Sequence, residues 1–297
     1  MRSINKSEIV AVVKDSKIDY DCRRLGLTPL KLFKFYKRSG YPESKIHDIQ
    51  TSHDLQRQGK RVIASIFTPE QLISRGSFKP TKLRNWKLVV SFGGDNHLQY
   101  IARHLGKTPI LGINADPPRS EGALTQITVN QLNMAVEAMG KGNYKIEEWN
   151  RFNVKLGRQV LPCPVLCEAF FGEHQVENMS RLAIRSGDHS FLHKGSGMLV
   201  YTGAGSTGWA HAVEHITFEK TSRQLRYITM HPYIGKLSPA PDSPHAFFAR
   251  GEALSITSMN DAEGVIILDA LERYPFPEGS TAQIVKGPYL RLAIPQI

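Results

Sequence analysis

The sequence predicts a two-part α/β protein: an N-terminal α/β domain with a parallel sheet, followed by a β-rich C-terminal domain. Three observations carry this. Short apolar runs alternate with helix-period segments over the first half of the chain. Past about residue 143 the strand signals follow one another without long helices between them. The 297 residues are 41% hydrophobic, enough for two cores.

Ile9 to Val13 is a short apolar run and reads as the first strand. Leu30, Phe33 and Tyr36 recur at helical spacing, with Gly40 as a stop. Glu43 to Gln58 is polar and reads as an exposed helix, and Arg61 to Phe67 as a strand. Lys87 to Phe92 is a buried strand that runs into glycines. Leu98, Ile101, Ala102 and Leu105 form a helix face closed by Gly106, and Ile110 to Ile113 is the next strand. Strands alternating with helices imply a parallel sheet that binds ligands at its carboxyl edge. The helix of Leu132, Ala135, Val136 and Met139 ends at Gly140-Lys141-Gly142 and sets the expected boundary: residues 1–142, then 143–297, with the end of the chain able to pack back on the first domain.

In the second part, Phe152, Val154 and Leu156 alternate with polar residues up to a Gly157-Arg158 turn. Further strands are expected at Leu166 to Phe171, Arg181 to Ile184, Met198 to Tyr201, Arg226 to Met230, Ala253 to Thr257 and Val265 to Leu268. This succession implies an antiparallel architecture.

No apolar stretch reaches the roughly 18 residues that a membrane-spanning helix needs. The polar start runs at once into a strand and leaves no room for a signal peptide, so a cytoplasmic location is expected. The three cysteines, Cys22, Cys163 and Cys167, are too few and odd in number for a disulfide framework. His97, His104, His211, His215 and His245 invite a metal reading, but no third ligand accompanies His211 and His215 at zinc-site spacing, and no protein-held metal is expected. The net charge of +11 favours anionic ligands. No run of five or six basic residues points to a nucleic-acid tail, so nucleotides are expected rather than nucleic acid.

Two loops carry chemistry. Ser91-Phe92-Gly93-Gly94-Asp95-Asn96-His97 leaves a buried strand and opens a helix. Its glycines permit close approach of a ligand, and the helix N-terminus suits phosphate. Taken alone, an ordinary strand-to-helix turn capped by Asp95 is the simpler reading. Tyr201-Thr202-Gly203-Ala204-Gly205-Ser206-Thr207-Gly208-Trp209 again follows a strand and enters a short helix expected over Ser206 to Val213. Small residues and hydroxyls there suit ribose or phosphate.

In order and chemistry these segments resemble the NAD kinase family, most nearly its mitochondrial type. Gly93-Gly94-Asp95 match the family's Gly-Gly-Asp-Gly-Thr loop, and Gly112-Ile113-Asn114 its Gly-Ile-Asn strand. Asp116-Pro117-Pro118-Arg119-Ser120-Glu121-Gly122 is similar to the mitochondrial-type extension. Cys167-Glu168 resembles the Asn-Glu pair, Gly205-Ser206-Thr207 the Thr-Gly-Ser-Thr loop, and Pro244, His245 and Arg250 a later Pro-His…Arg segment, before a strand ending in Asp269. The resemblance spans about residues 87–270.

It implies an ATP-dependent NAD kinase that moves the γ-phosphoryl group to the 2′-hydroxyl of the adenosine ribose, making NADP. Asp95 would be the catalytic carboxylate. Binding residues would be Gly93, Gly94, Asn96, His97, Asn114, Cys167, Glu168, Thr202, Gly205, Ser206, Thr207, Trp209, His245 and Arg250. Mg2+ would accompany ATP, NAD would be the substrate, and the chain would form a homodimer or homotetramer. Departures are Asn96-His97 for the family's Gly-Thr, Cys167 for its Asn, Ser196 for an Asp before the second loop, and Trp209 for a Tyr. Asn96 tolerates left-handed backbone, and His97 offers a donor to phosphate. These changes leave open a related kinase acting on another hydroxyl, or a catalytically silent dinucleotide-binding protein.

Overall fold

The computed structural model describes residues 2–175, 177–236, 244–261 and 263–297. The chain forms two compact units. One comprises residues 1–101, 107–147 and 291–297, the other residues 102–106 and 148–290.

The first unit is α/β. In chain order it contains β1 (Ile9–Val13), α1 (Lys17–Leu25), α2 (Pro29–Arg38), α3 (Glu43–Ile66), β2 (Leu72–Ser74), β3 (Leu88–Gly93), α4 (Asp95–Ala102), β4 (Ile110–Asn114), β5 (Ile127–Thr128), α5 (Leu132–Lys141) and β6 (Tyr144–Trp149). The strands β2, β1, β3, β4 and β5 pair in parallel. Every residue of β3 and β4 is buried, as strands covered on both faces require. On one face, Ile63 and Ile66 of α3 and Leu132, Ala135 and Met139 of α5 pack against Val90, Phe92, Leu111 and Ile113. A satellite core joins α1, α2 and α3 through Ile18, Leu32, Tyr36, Ile46 and Ile49.

Arg61 to Phe67, expected as a strand, is the last turn and end of α3. Its apolar residues mimic a strand, but Ile63 and Ile66 are buried while Ala64 and Ser65 are exposed, which is helical rather than alternating periodicity. The helix expected from Leu30, Phe33 and Tyr36 forms as α2, rotated from the expected face: Leu32 and Tyr36 are buried and Leu30 is 69% exposed.

The second unit is an antiparallel sandwich. Its strands are β7 (Phe152–Leu156), β8 (Gln159–Val160), β9 (Glu168–Glu173), β10 (Ser180–Ser186), β11 (His189–Gly195), β12 (Gly197–Tyr201), β13 (Gln224–Met230), β14 (His245–Ala249), β15 (Leu254–Ser258), β16 (Gly264–Leu268), β17 (Glu272–Pro275) and β18 (Thr281–Lys286). One sheet runs β11-β10-β15-β18-β7-β8 and the other β14-β13-β12-β9-β16-β17. Alternate residues of both sheets, among them Val154, Phe171, Ile184, Val200, Tyr227, Ile256, Ile266 and Ile284, close one core. The opposite face of the β9–β12–β13 sheet, with Phe170, Leu199, Tyr201 and Ile228, is covered by α6 (Trp209–Glu214) through Ala210 and Val213.

The chain then returns to the first unit. Strand β19 (Leu290–Pro295) lies between β4 and β6 in the first sheet, parallel to β4. Among the described residues no helix is long and apolar enough to cross a membrane.

Candidate functional site

The expected site residues form two clusters, one in each unit. In the first unit, β3 delivers Gly93 and Gly94 to the carboxyl edge of the sheet, and α4 starts at Asp95. Gly93 must be a glycine here: a Cβ on it would stand 2.7 Å from that of His97. The partly buried Asp95 carboxylate accepts the backbone N–H of Ala123 at 2.9 Å on one oxygen and that of Leu124 at 2.8 Å on the other. The loop from β4 makes this possible. The Asn114 side chain donates to the Ser120 carbonyl (2.8 Å) and accepts from the Asp116 N–H (3.1 Å). Asp116 in turn accepts from the Ser52 hydroxyl (2.5 Å) and pairs with Arg119 (3.0 Å). The Asp116–Gly122 extension thus folds the chain back so that its next two amides meet Asp95.

Asn96 is exposed in the first turn of α4 and does not take a left-handed backbone. His97 departs from expectation more sharply. Its imidazole is fully buried, with Nε2 3.1 Å from the Val12 carbonyl of β1. Burial pushes its pKa down to about 4. A neutral ring tied to β1 is a packing residue, and the expected phosphate donor is corrected accordingly.

In the second unit the cluster forms where β9 begins and β12 and β16 end. Asp269, just past β16, has φ of 52° and points its carboxylate at the start of β9. It accepts the N–H of Leu166 (2.9 Å), Cys167 (2.8 Å) and Glu168 (3.2 Å). Three amides around one carboxylate fix the chain on which Glu168 stands. Glu168 itself is only 8% exposed. Burial, and next the negative charge of Asp269, push its pKa up to about 8. At neutral pH it therefore carries a proton and can donate a hydrogen bond.

The glycine-rich loop is held from within. Thr202 donates to the Leu166 carbonyl (2.5 Å) and accepts from the N–H of Ala204 (3.1 Å) and Gly205 (3.3 Å). Ser206 donates to the Gly203 carbonyl (2.8 Å) and accepts from the Phe218 N–H (3.2 Å). Thr207 donates to the Ala204 carbonyl at 3.3 Å. Both Thr202 and Ser206 are fully buried, so their hydroxyls shape the loop from inside. A Cβ on Gly205 would stand 2.9 Å from the Cα of Cys167 and closer still to its carbonyl, so the loop lies flat on the Cys167-Glu168 backbone. Trp209 is 40% exposed and stacks on Phe170, with ring centroids 5.3 Å apart.

These local geometries meet a consistent set of relatives. No protein-family model matches the chain. A probable NADH kinase of Oryza sativa subsp. japonica is 27% identical over 236 residues, which is 70% of this chain and 71% of that protein. An NAD kinase of Geotalea daltonii is 29% identical over 214 residues, 67% and 70% of the two chains. Among solved structures, an NAD kinase from Archaeoglobus fulgidus in complex with ATP superposes with a TM-score of 0.63 at 17% identity, covering 96% of this chain and 92% of that one. Yeast NADH kinase complexed with NADH gives 0.67 at 12% identity, covering 99% and 84%. The chain is thus similar in sequence to NAD kinases and NADH kinases over about two thirds of its length, and shares their fold.

The later Pro-His…Arg segment sits apart from the glycine loop's own bonds. His245 opens β14 at the surface. Arg250 lies over the Tyr289 ring (4.2 Å) and donates to the Gly287 carbonyl, so it braces the 287–289 segment. Two residues outside the expected set matter to the geometry. Glu214 accepts from the Tyr201 hydroxyl and from Arg226 Nε (2.8 Å) and Nη2 (2.7 Å), which anchors the helix carrying Trp209. Asp269 is the other. Its signal was available in the run Val265-Ile266-Ile267-Leu268-Asp269, a carboxylate at the end of an apolar strand.

Proposed function

We propose that the chain transfers the γ-phosphoryl group of ATP to the 2′-hydroxyl of the adenosine ribose of NAD, with Asp95 as the catalytic carboxylate. One observation carries the reading. Asp95 follows two glycines at the carboxyl edge of a parallel sheet, partly accessible, with both oxygens oriented by backbone amides. Such a carboxylate is aimed without being neutralised, since each oxygen keeps a lone pair.

The chemistry follows. Phosphoryl transfer is mostly positioning and charge neutralisation. A ribose hydroxyl is far less acidic than a carboxylic acid, so Asp95 orients it and accepts its proton late, as bonding to phosphorus develops. Protonated Glu168 donates to an acceptor on the dinucleotide, and the exposed Trp209 face offers a stacking surface. Mg2+ would supply neutralisation of the donor phosphates. Mg2+ prefers phosphate oxygens and water, so the donor phosphates themselves would carry it.

The test is NADP formation from NAD, and separately from NADH, with ATP, another nucleoside triphosphate or polyphosphate as donor. Formation of NADP that is lost in Asp95→Asn supports the reading. Tight NAD binding with no NADP from any donor would falsify it. We further propose a cytoplasmic homodimer or homotetramer, to be checked by light scattering and fractionation.

A further inference from the structure

Packing leaves one surface of the first unit unexplained. Helix α2 starts at Pro29, behind Thr28, and runs to Arg38. One of its stripes, Leu32 and Tyr36, closes the satellite core with Ile18 of α1 and with Ile46 and Ile49 of α3. The Tyr36 hydroxyl donates to the buried Asp21 of α1 at 2.6 Å, and Asp21 also accepts from Lys17 (2.6 Å) and Arg24 (3.3 Å). This network locks α2 onto α1 and fixes which way its remaining residues point.

The outward residues are Leu30, Lys31, Lys34, Phe35, Lys37 and Arg38, all exposed. At 3.6 residues per turn they fall within about 160° of the helix circumference, so they form one continuous face. The ten residues of α2 include four lysines or arginines and no aspartate or glutamate. Among the described residues only Lys37 of this face has an acidic partner, Glu43 at 3.2 Å, and both members of that pair stand in water. Lys31, Lys34 and Arg38 form no ion pair among the described residues. Between these cations Leu30 is 69% exposed and Phe35 42%. Single apolar residues scattered over a surface are ordinary, but two large ones set among four cations on one helix face mark a contact surface.

We infer that this face of α2 docks on a bilayer surface rich in anionic phospholipid headgroups. Its charge complements that surface, and the net charge of +11 adds long-range attraction. The apolar pair decides between anionic partners. A bilayer has an apolar phase behind its phosphates, so Leu30 and Phe35 leave water there while the lysine stems keep their ammonium groups among the headgroups. A nucleic-acid backbone offers the charges but no place for a leucine. Leu32 and Tyr36 are already packed, so docking requires no unfolding of the satellite core. Four cations and two apolar side chains give reversible, peripheral attachment. This surface holds no residue of the proposed phosphotransfer site and stands or falls apart from that reading.

The test is sedimentation of the full chain with vesicles of phosphatidylcholine alone and of phosphatidylcholine and phosphatidylserine in equal parts, with thermal melts as the fold control. The wild type should pellet with the mixed vesicles and stay in solution with phosphatidylcholine alone. Lys31→Gln with Lys34→Gln should weaken partitioning about thirtyfold, roughly fivefold for each lost cation. Lys107→Gln with Arg158→Gln removes the same charge from exposed positions elsewhere and should bind nearly as the wild type does. Leu30→Ser with Phe35→Ser should abolish the part of the binding that survives high salt, since screening spares apolar contact. No binding of the wild type to mixed vesicles, or equal losses in the two charge pairs, would overturn the assignment. Binding indifferent to Leu30 and Phe35, or a tighter grip on double-stranded RNA through the same lysines, would give the face to another polyanion and sink the bilayer.

Discussion

Glu168→Gln isolates one proton. The Glu168 carboxyl has an ordinary value of 4.5 in an open chain and about 8 where burial and Asp269 hold it in the fold. Between those values the unfolded chain has lost the proton and the folded chain keeps it. Stability from this group is therefore fully present below about pH 4.5 and is lost as pH rises toward about 8. One proton is worth about 1.36 kcal/mol per pH unit, so about 4 kcal/mol disappears between about pH 5 and about pH 8. This is an upper figure, since local opening lets water reach the carboxylate. Glutamine resembles the protonated acid and does not titrate. The two proteins should be nearly equal in stability at about pH 5, and Glu168→Gln should become the more stable as pH rises. Urea denaturation of both at a series of pH values measures the difference, in which every other titrating group cancels. Parallel curves, with a difference independent of pH, would refute a carboxyl that is neutral in the fold.

Other perturbations read other parts of the geometry. Asp95→Asn should lower turnover by about 10²–10⁴ and also destabilise the first unit by about 1–3 kcal/mol, because an amide nitrogen cannot accept from the Ala123 or Leu124 N–H; steady-state kinetics and denaturation report the two effects. Gly205→Ala should cost about 1–3 kcal/mol or more by forcing the loop off the Cys167 backbone, seen as a lower melting temperature. Arg226→Met should cost about 3–5 kcal/mol by stranding Glu214, which is 8% exposed, and the double variant with Glu214→Gln should recover part of that in a denaturation cycle.

Periodicity made much of this architecture readable in advance. The buried strands at Ile9, Leu88, Ile110 and Met198 are mostly apolar runs, and sandwich strands such as β10 and β15 alternate between buried and less buried residues, so burial dictates them. Arg61 to Phe67 failed because a seven-residue segment with five apolar residues fits both periods until its partner is known: Ile63 and Ile66 pack with residues of β3 and β4, and that contact is not local. The three-residue β2 escaped notice because pairing with β1, rather than its own composition, makes it a strand. At the candidate site, the two glycine-rich strand-to-helix turns were legible as turns, since Gly93 and Gly205 leave no room for a side chain. The roles of Asn114, Thr202 and Ser206 as internal braces were not, because a hydroxyl or amide looks the same in a sequence whether it faces a ligand or the loop behind it. His97 shows the same limit.

The return of β19 into the first sheet has a consequence for biosynthesis. Residues 2–147 leave the ribosome with the place between β4 and β6 unfilled, and the strand that fills it arrives only after the whole sandwich has been made. The first unit, made before the sandwich, is thus completed only after it, with the edges of β4 and β6 unpaired in the interval.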